Sequence, residues 1–202
     1  MPEESGVPQE GFKGKRRSGP LAELSWLVVL TYSLMFVVSS AFAAWRGHWT
    51  GWFDLVTLGP DAILGVGLGL GVVALSQVAT RLGWFAWLIQ EFAALVRGLT
   101  LWQVVLFAGL SALGEESLFR GVLQSETGLI AATLLFGVAH VGPSRRYLPW
   151  TGFALLVGLG LGLLYRHTGT LTAPVAAHAT INLINLFYLV RLGEKTEDGA
   201  NH

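Results

Sequence analysis

The chain has 202 residues, 52% of them hydrophobic and only 13% charged, with a formal net charge of zero. A soluble domain carries about 25% charged residues, so this chain, with a mean hydropathy of +0.56, has too little polar surface for water, and the bilayer is its expected solvent. Zero net charge leaves no electrostatic footprint for nucleic acid. The absence of Cys excludes disulfides, thiolate metal ligands and a cysteine nucleophile.

In chain order, residues 1–20 are polar, rich in Gly and Pro, and contain the basic cluster Lys13, Lys15, Arg16 and Arg17. This composition predicts a disordered cytoplasmic tail. A first apolar span follows at 21–45. Ala41-Phe42-Ala43 has the pattern of a signal-peptidase site, but the apolar stretch exceeds the roughly 7–15 residues of a signal core, so a retained helix is expected. Further spans are expected at 61–80, about 100–125, 128–146, 147–165 and 171–190. Residues 82–96 are short for a span and hold Gln90 and Glu91 among aromatic residues; they predict an amphipathic helix lying at the interface.

The positive-inside rule supports that choice. With 82–96 at the surface and the N-terminus inside, the cytoplasmic side holds Lys13, Lys15, Arg16, Arg17, Arg81, Arg97, Arg145, Arg146, Arg191 and Lys195 of the thirteen Lys and Arg. The expected fold is therefore all-α: a multi-pass membrane protein of about six transmembrane helices plus one interfacial helix, with both termini cytoplasmic. The expected divisions are the tail 1–20, N-terminal helices over 21–98, a helical core over 99–191 and a second tail over 192–202. Gly65, Gly67, Gly69 and Gly71 lie in an apolar run with the wrong spacing for a nucleotide loop. Gly67-xxx-Gly71 and Gly158-xxx-Gly162 are expected as faces for close helix packing, and Asp61 as a helix cap. Gln77, Gln103, Gln124, His48 and His167 are given no role.

Ionisable groups at membrane depth cost about 2.5–3.5 kcal/mol each on insertion scales and normally mark function. Here they recur at helical spacing. Glu116 and Arg120 are four apart and share a face on which they can pair. Glu115 is turned about 100° away and points elsewhere. Phe136 precedes His140 by one turn, as His178 precedes Asn182. Counted at about 1.5 Å per residue from turns near 125–128 and 167–169, Glu115 lies roughly 18 Å deep, His140 about 20 Å and His178 about 15 Å. Both turns are expected on one side of the membrane, so three polar groups on three helices arrive at similar depth.

A carboxylate and an imidazole within hydrogen-bond reach can together deprotonate a water. A second imidazole and an amide can donate hydrogen bonds to an oxyanion. Amide hydrolysis by an activated water uses all four groups, and neither a zincin HExxH motif nor a serine with a base partner occurs. The segments G-E-E-S-L-F-R-G-V-L-Q (114–124), L-L-F-G-V-A-H (134–140), G-L-G-L-G-L-L-Y-R-H-T-G-T-L (158–171) and A-P-V-A-A-H-A-T-I-N-L (173–183) resemble the CPBP family. These are the CAAX-processing and bacteriocin-processing intramembrane proteases, which include the Ras-converting CAAX endopeptidase. The resemblance covers roughly residues 110–187.

It implies Glu115 as the base that positions water with His140, His178 and Asn182 as the oxyanion site, and Glu116, Arg120 and Phe136 as structural support. No cofactor is expected, with a zinc site at Glu115, His140 and His178 as the weaker alternative. The implied partners are the lipid bilayer and a protein or peptide substrate with a membrane-associated part: a CAAX tail, a leader peptide or a C-terminal anchor tail. A prokaryotic plasma membrane is the expected location. The rival readings are a non-catalytic immunity or scaffold protein and a small proton-coupled transporter.

Overall fold

The computed structural model describes residues 19–47, 49–81 and 83–200. The basic cluster at 13–17, most of the expected N-terminal tail, and His48 lie outside the described residues. All regular structure among the described residues is helical. A single turn, α1 (Pro20–Glu23), precedes α2 (Ser25–Arg46), which ends on Gly47 in the left-handed conformation, φ 78°. Next come α3 (Leu58–Ala79), α4 (Gly83–Val96) and α5 (Leu101–Glu116). The last continues as a π-helix, Ser117–Gln124, into the short α6 (Ser125–Thr127). Then follow α7 (Leu129–Ala139), α8 (Leu148–Thr168) and α9 (Thr172–Ala200).

Four of these are long and apolar enough to cross a membrane: Ser25–Arg46, Leu58–Val78, Arg145–Thr168 and Thr172–Thr196. A fifth span is reached if the bent pair Phe85–Val96 and Leu101–Thr127 counts as one. The protein is thus a multi-pass helical membrane protein with four or five candidate spans where about six were expected. Large apolar side chains such as Trp26, Leu30, Leu34, Ile63 and Leu75 face outward, which suits lipid and not water.

The expected span that falls below that length is 128–146, although its helix still joins the two ends of the bundle. Its helix, α7, has only 11 residues, about 16 Å against a hydrocarbon core of about 30 Å. Three features stop it. The Nδ1 of His140 takes the carbonyl of Phe136 at 2.7 Å, and the His140 amide closes a tight turn onto Gly137 O. Thr151 Oγ1 donates to His140 O at 3.0 Å. Gly142-Pro143 follows, and proline cannot continue a helix. At the other extreme α9 has 29 residues and stays helical well past the expected limit of 190.

The segment 82–96 is a separate helix, at 111° to the one that follows. The break is made by Gly98, φ 78°, and by a capping box in which Thr100 Oγ1 accepts from the Gln103 amide and Gln103 Oε1 from the Thr100 amide. Gln103 Nε2 also donates to Ser25 Oγ at 2.7 Å, so this residue, given no role from sequence, joins two helices.

One end of the bundle gathers the turns near 47–57, 125–128 and 168–171. Arg46 grips Glu126 with two bonds of 2.9 Å, and the Leu171 amide donates to the buried Trp52 carbonyl at 2.7 Å. Asp61 makes no cap bond. Its Oδ2 accepts from Thr57 (2.9 Å) and Thr170 (2.6 Å), tying α3 to the α8–α9 turn. The opposite end carries α4, the 141–147 loop and the end of α9: Arg146 lies over the Trp87 ring at 5.5 Å, and Gly193 backs onto Ala93. The two turns used to judge depth therefore do share a side.

The glycine faces separate into one that holds and one in a different register. A Cβ on Gly158 would strike Phe136, and one on Gly162 would strike Leu129 and Gln124. On α3, by contrast, Gly67 and Gly71 have open space beside them. Gly65 and Gly69 are the contact pair, set against the carbonyls of Ala173 and Ala177 on α9. Only a residue without a side chain allows that approach.

Candidate active site

The π-helix positions the first group of polar side chains. π-turns are uncommon and gather at functional sites. From this one Arg120 donates to Gly158 O at 2.8 Å and Gln124 to Gly162 O at 2.8 Å. Two side chains four residues apart thus reach two carbonyls four residues apart on α8, where the glycines leave the backbone open. Gln124, given no role from sequence, is half of this ladder.

Glu116 is fully buried and its Oε1 accepts from two donors: Arg120 at 3.0 Å and His178 Nδ1 at 2.7 Å. The Arg120 guanidinium also lies 4.5 Å from the centre of the Phe136 ring, a cation–π contact. Phe136 stacks on the His140 ring with centroids 4.4 Å apart, while its carbonyl holds His140 Nδ1. A carbonyl only accepts, so Nδ1 carries the proton and the Nε2 of neutral His140 presents a lone pair.

That lone pair faces Glu115. Glu115 Oε2 lies 3.8 Å from His140 Nε2 and 4.0 Å from His178 Nε2, with no hydrogen-bond partner among the described residues. These gaps are too long for direct bonds and suit one water bonded at about 2.8 Å to each side. Asn182 lines the same cavity of about 250 Å³ and donates to Ser111 Oγ at 2.9 Å, which leaves its second N–H free to serve elsewhere. The structure therefore brings together Glu115, His140, His178 and Asn182, with Glu116, Arg120 and Phe136 behind them.

The side chains Glu115, His140 and His178 are of types that hold zinc, and at 3.8 and 4.0 Å they stand slightly wider than a zinc shell requires. Ligands at about 2.1 Å around a tetrahedral zinc lie about 3.4 Å apart, less than the separations here. Among the described residues no group of three or more such side chains has the arrangement to hold a metal.

Two lining residues escaped the sequence reading. Tyr32, on α2, borders the cavity and its hydroxyl comes within reach of Glu115. A tyrosine in mid-span, away from the aromatic belts, was the available signal. Trp150, at the start of α8, borders it too, with its ring 5.8 Å from that of His140; next to a span end it looks like any interfacial Trp.

The fold and this centre define a helical membrane protein whose polar groups converge on one water-sized space. Residues 97–184 match the family described as Type II CAAX prenyl endopeptidase Rce1-like. Glu115, Glu116, Arg120, Phe136, His140, His178 and Asn182 fall inside the match, and Tyr32 lies outside it. The protein of Bacillus subtilis (strain 168) described as "Uncharacterized protein YpbD" is 39% identical over 85 residues. That stretch is 41% of this chain and 43% of the relative, so the chain spans less than half the length of the curated relative it matches. No solved structure matches the chain.

Proposed function

We propose that the protein is an intramembrane endopeptidase in which Glu115 and His140 activate a water. The observation that carries this reading is the position of Glu115 Oε2 opposite two imidazole Nε2 atoms at 3.8 and 4.0 Å. The carboxylate takes a proton from the water, and the lone pair of His140 Nε2 orients the resulting nucleophile toward the carbonyl carbon. The tetrahedral oxyanion then accepts hydrogen bonds from His178 Nε2 and the free N–H of Asn182. His178 donates its Nδ1–H to Glu116 in a hydrogen bond, so its Nε2 carries a hydrogen in the imidazolium form, which Glu115 and Glu116 flank with negative charge. Glu115 finally passes its proton to the leaving amine, and the peptide bond is exchanged for an acid and an amine.

The substrate class is a peptide with a membrane-associated part, of CAAX, leader or anchor-tail type, reached from the end that carries the 141–147 loop. That end is cytoplasmic in this reading, with the N- and C-termini on the same side of a prokaryotic plasma membrane.

The test is cleavage of lipid-anchored reporter peptides by the purified chain. Glu115→Gln and His140→Ala should each lower the rate at least 10³-fold, with melting temperatures near that of the parent. Full activity in either variant dismisses the mechanism. A strong chelator should leave the rate within twofold. Stoichiometric zinc whose removal stops cleavage would replace the water-and-imidazole scheme by a metal one.

A further inference from the structure

A second cavity, of about 720 Å³, lies on the other side of the Glu115–His140 pair and opens between α4 and the 141–147 loop. Its chemistry differs from that of the inner cavity. The wall includes the rings of Phe92, Tyr147 and Trp150, with Phe92 edge-on to Trp150 at 5.2 Å and tilted to Tyr147 at 6.1 Å. Two carboxylates border it, Glu91 at the mouth and Glu115 at the floor, and no Lys or Arg does among the described residues. The nearby Arg146 is turned outward onto Trp87. Glu91 is exposed, and no ion pair holds it among the described residues. Glu115 is buried, with Oε2 unpartnered.

Carboxylates set among aromatic faces form the surround that recognises an ammonium or guanidinium group. An acidic segment or a free carboxylate entering here meets two like charges. We propose that this cavity selects peptide segments carrying a lysine or arginine within a few residues of the scissile bond, with Glu91 as the specificity-determining residue. The inference rests on the protease reading for the word scissile, and on the cavity alone for the preference. In the proposed orientation the cavity opens toward the cytoplasmic membrane face, where segments next to the membrane are enriched in Lys and Arg.

The experiment uses the purified full chain in an uncharged detergent and a set of acyl-anchored fluorescent peptides. They are identical except for one residue, scanned through each position as Lys, norleucine or Glu. Binding is read by anisotropy and cleavage by mass spectrometry on the same samples. At the best position the Lys peptide should bind about 3- to 10-fold tighter than the norleucine peptide, and the Glu peptide weaker than both. The Lys-to-norleucine ratio should fall to about one in Glu91→Gln, and Glu91→Lys should favour the Glu peptide.

Equal binding of Lys and norleucine peptides at every position overturns the proposal, and that comparison needs no variant. A preference that survives Glu91→Lys overturns the role of Glu91. Lysine-selective binding without cleavage keeps this inference and removes the protease reading; cleavage blind to lysine does the opposite.

Discussion

Glu116 shows how one residue can serve stability and chemistry together. A single oxygen accepts from both Arg120 and His178, so the carboxylate neutralises a buried guanidinium and fixes which imidazole nitrogen faces Glu115. Removing one member of a buried ion pair costs about 3–5 kcal/mol because the other charge is left uncompensated. Glu116→Ala should therefore lower the melting temperature sharply in detergent. The double variant Glu116→Leu with Arg120→Met should recover much of that stability without recovering activity. Asn182→Ala should behave otherwise: a loss of about 10²–10³ in kcat with little change in melting, the signature of one missing oxyanion donor. A fall in KM-linked binding instead would place Asn182 in substrate capture. The Glu116–Arg120 pair was legible from spacing, since four residues make one face. The Glu116–His178 bond was not, because 62 residues separate the partners and only the packing of α9 against α5 joins them. Tyr32 was hidden for the same reason.

At the scale of elements, the glycine run of α3 separates what a pattern states from what it leaves open. Glycines at every second position from 65 to 71 offer two pairs four apart, and the sequence of α3 alone has no means of choosing between them. The choice belongs to α9, whose Ala173 and Ala177 carbonyls meet Gly65 and Gly69. Gly65→Val should accordingly disrupt the α3–α9 contact and lower stability by several kcal/mol through overpacking. Gly67→Val points into open space and should change melting by no more than about 0.5 kcal/mol; the reverse ranking would restore the 67/71 register. The early end of α7 was also within reach of the sequence, since Gly142-Pro143 announces it. Apolar composition through Val141 concealed it, because hydropathy continues past the point where backbone hydrogen bonds have already been diverted to the His140 ring and Thr151.

For the whole molecule, low charge and long apolar runs were enough to give a multi-pass helical protein, and the distribution of Lys and Arg supplies an orientation to be tested. The length of each crossing helix was not readable, because hydropathy measures composition whereas helix length depends on unbroken backbone hydrogen bonding. The chain has no cysteine, so any introduced one is a unique label. Ser144→Cys should react with a membrane-impermeant maleimide from the cytoplasmic side only, and Thr127→Cys from the opposite side only. Labelling with the sides exchanged would invert the proposed orientation.

The shortness of α7 has an outcome for the surrounding lipid. A helix of about 16 Å that carries His140 at its end cannot match an ordinary bilayer, so the annulus beside it must become locally thinner. Hydrolysis by the reconstituted protein should therefore depend on acyl-chain length, fastest in short-chain phosphatidylcholines and slower as the chains lengthen, because only a compressed leaflet lets bulk water and an extended substrate reach the same depth. A rate indifferent to chain length would mean that α7 is sheltered from lipid by its neighbours.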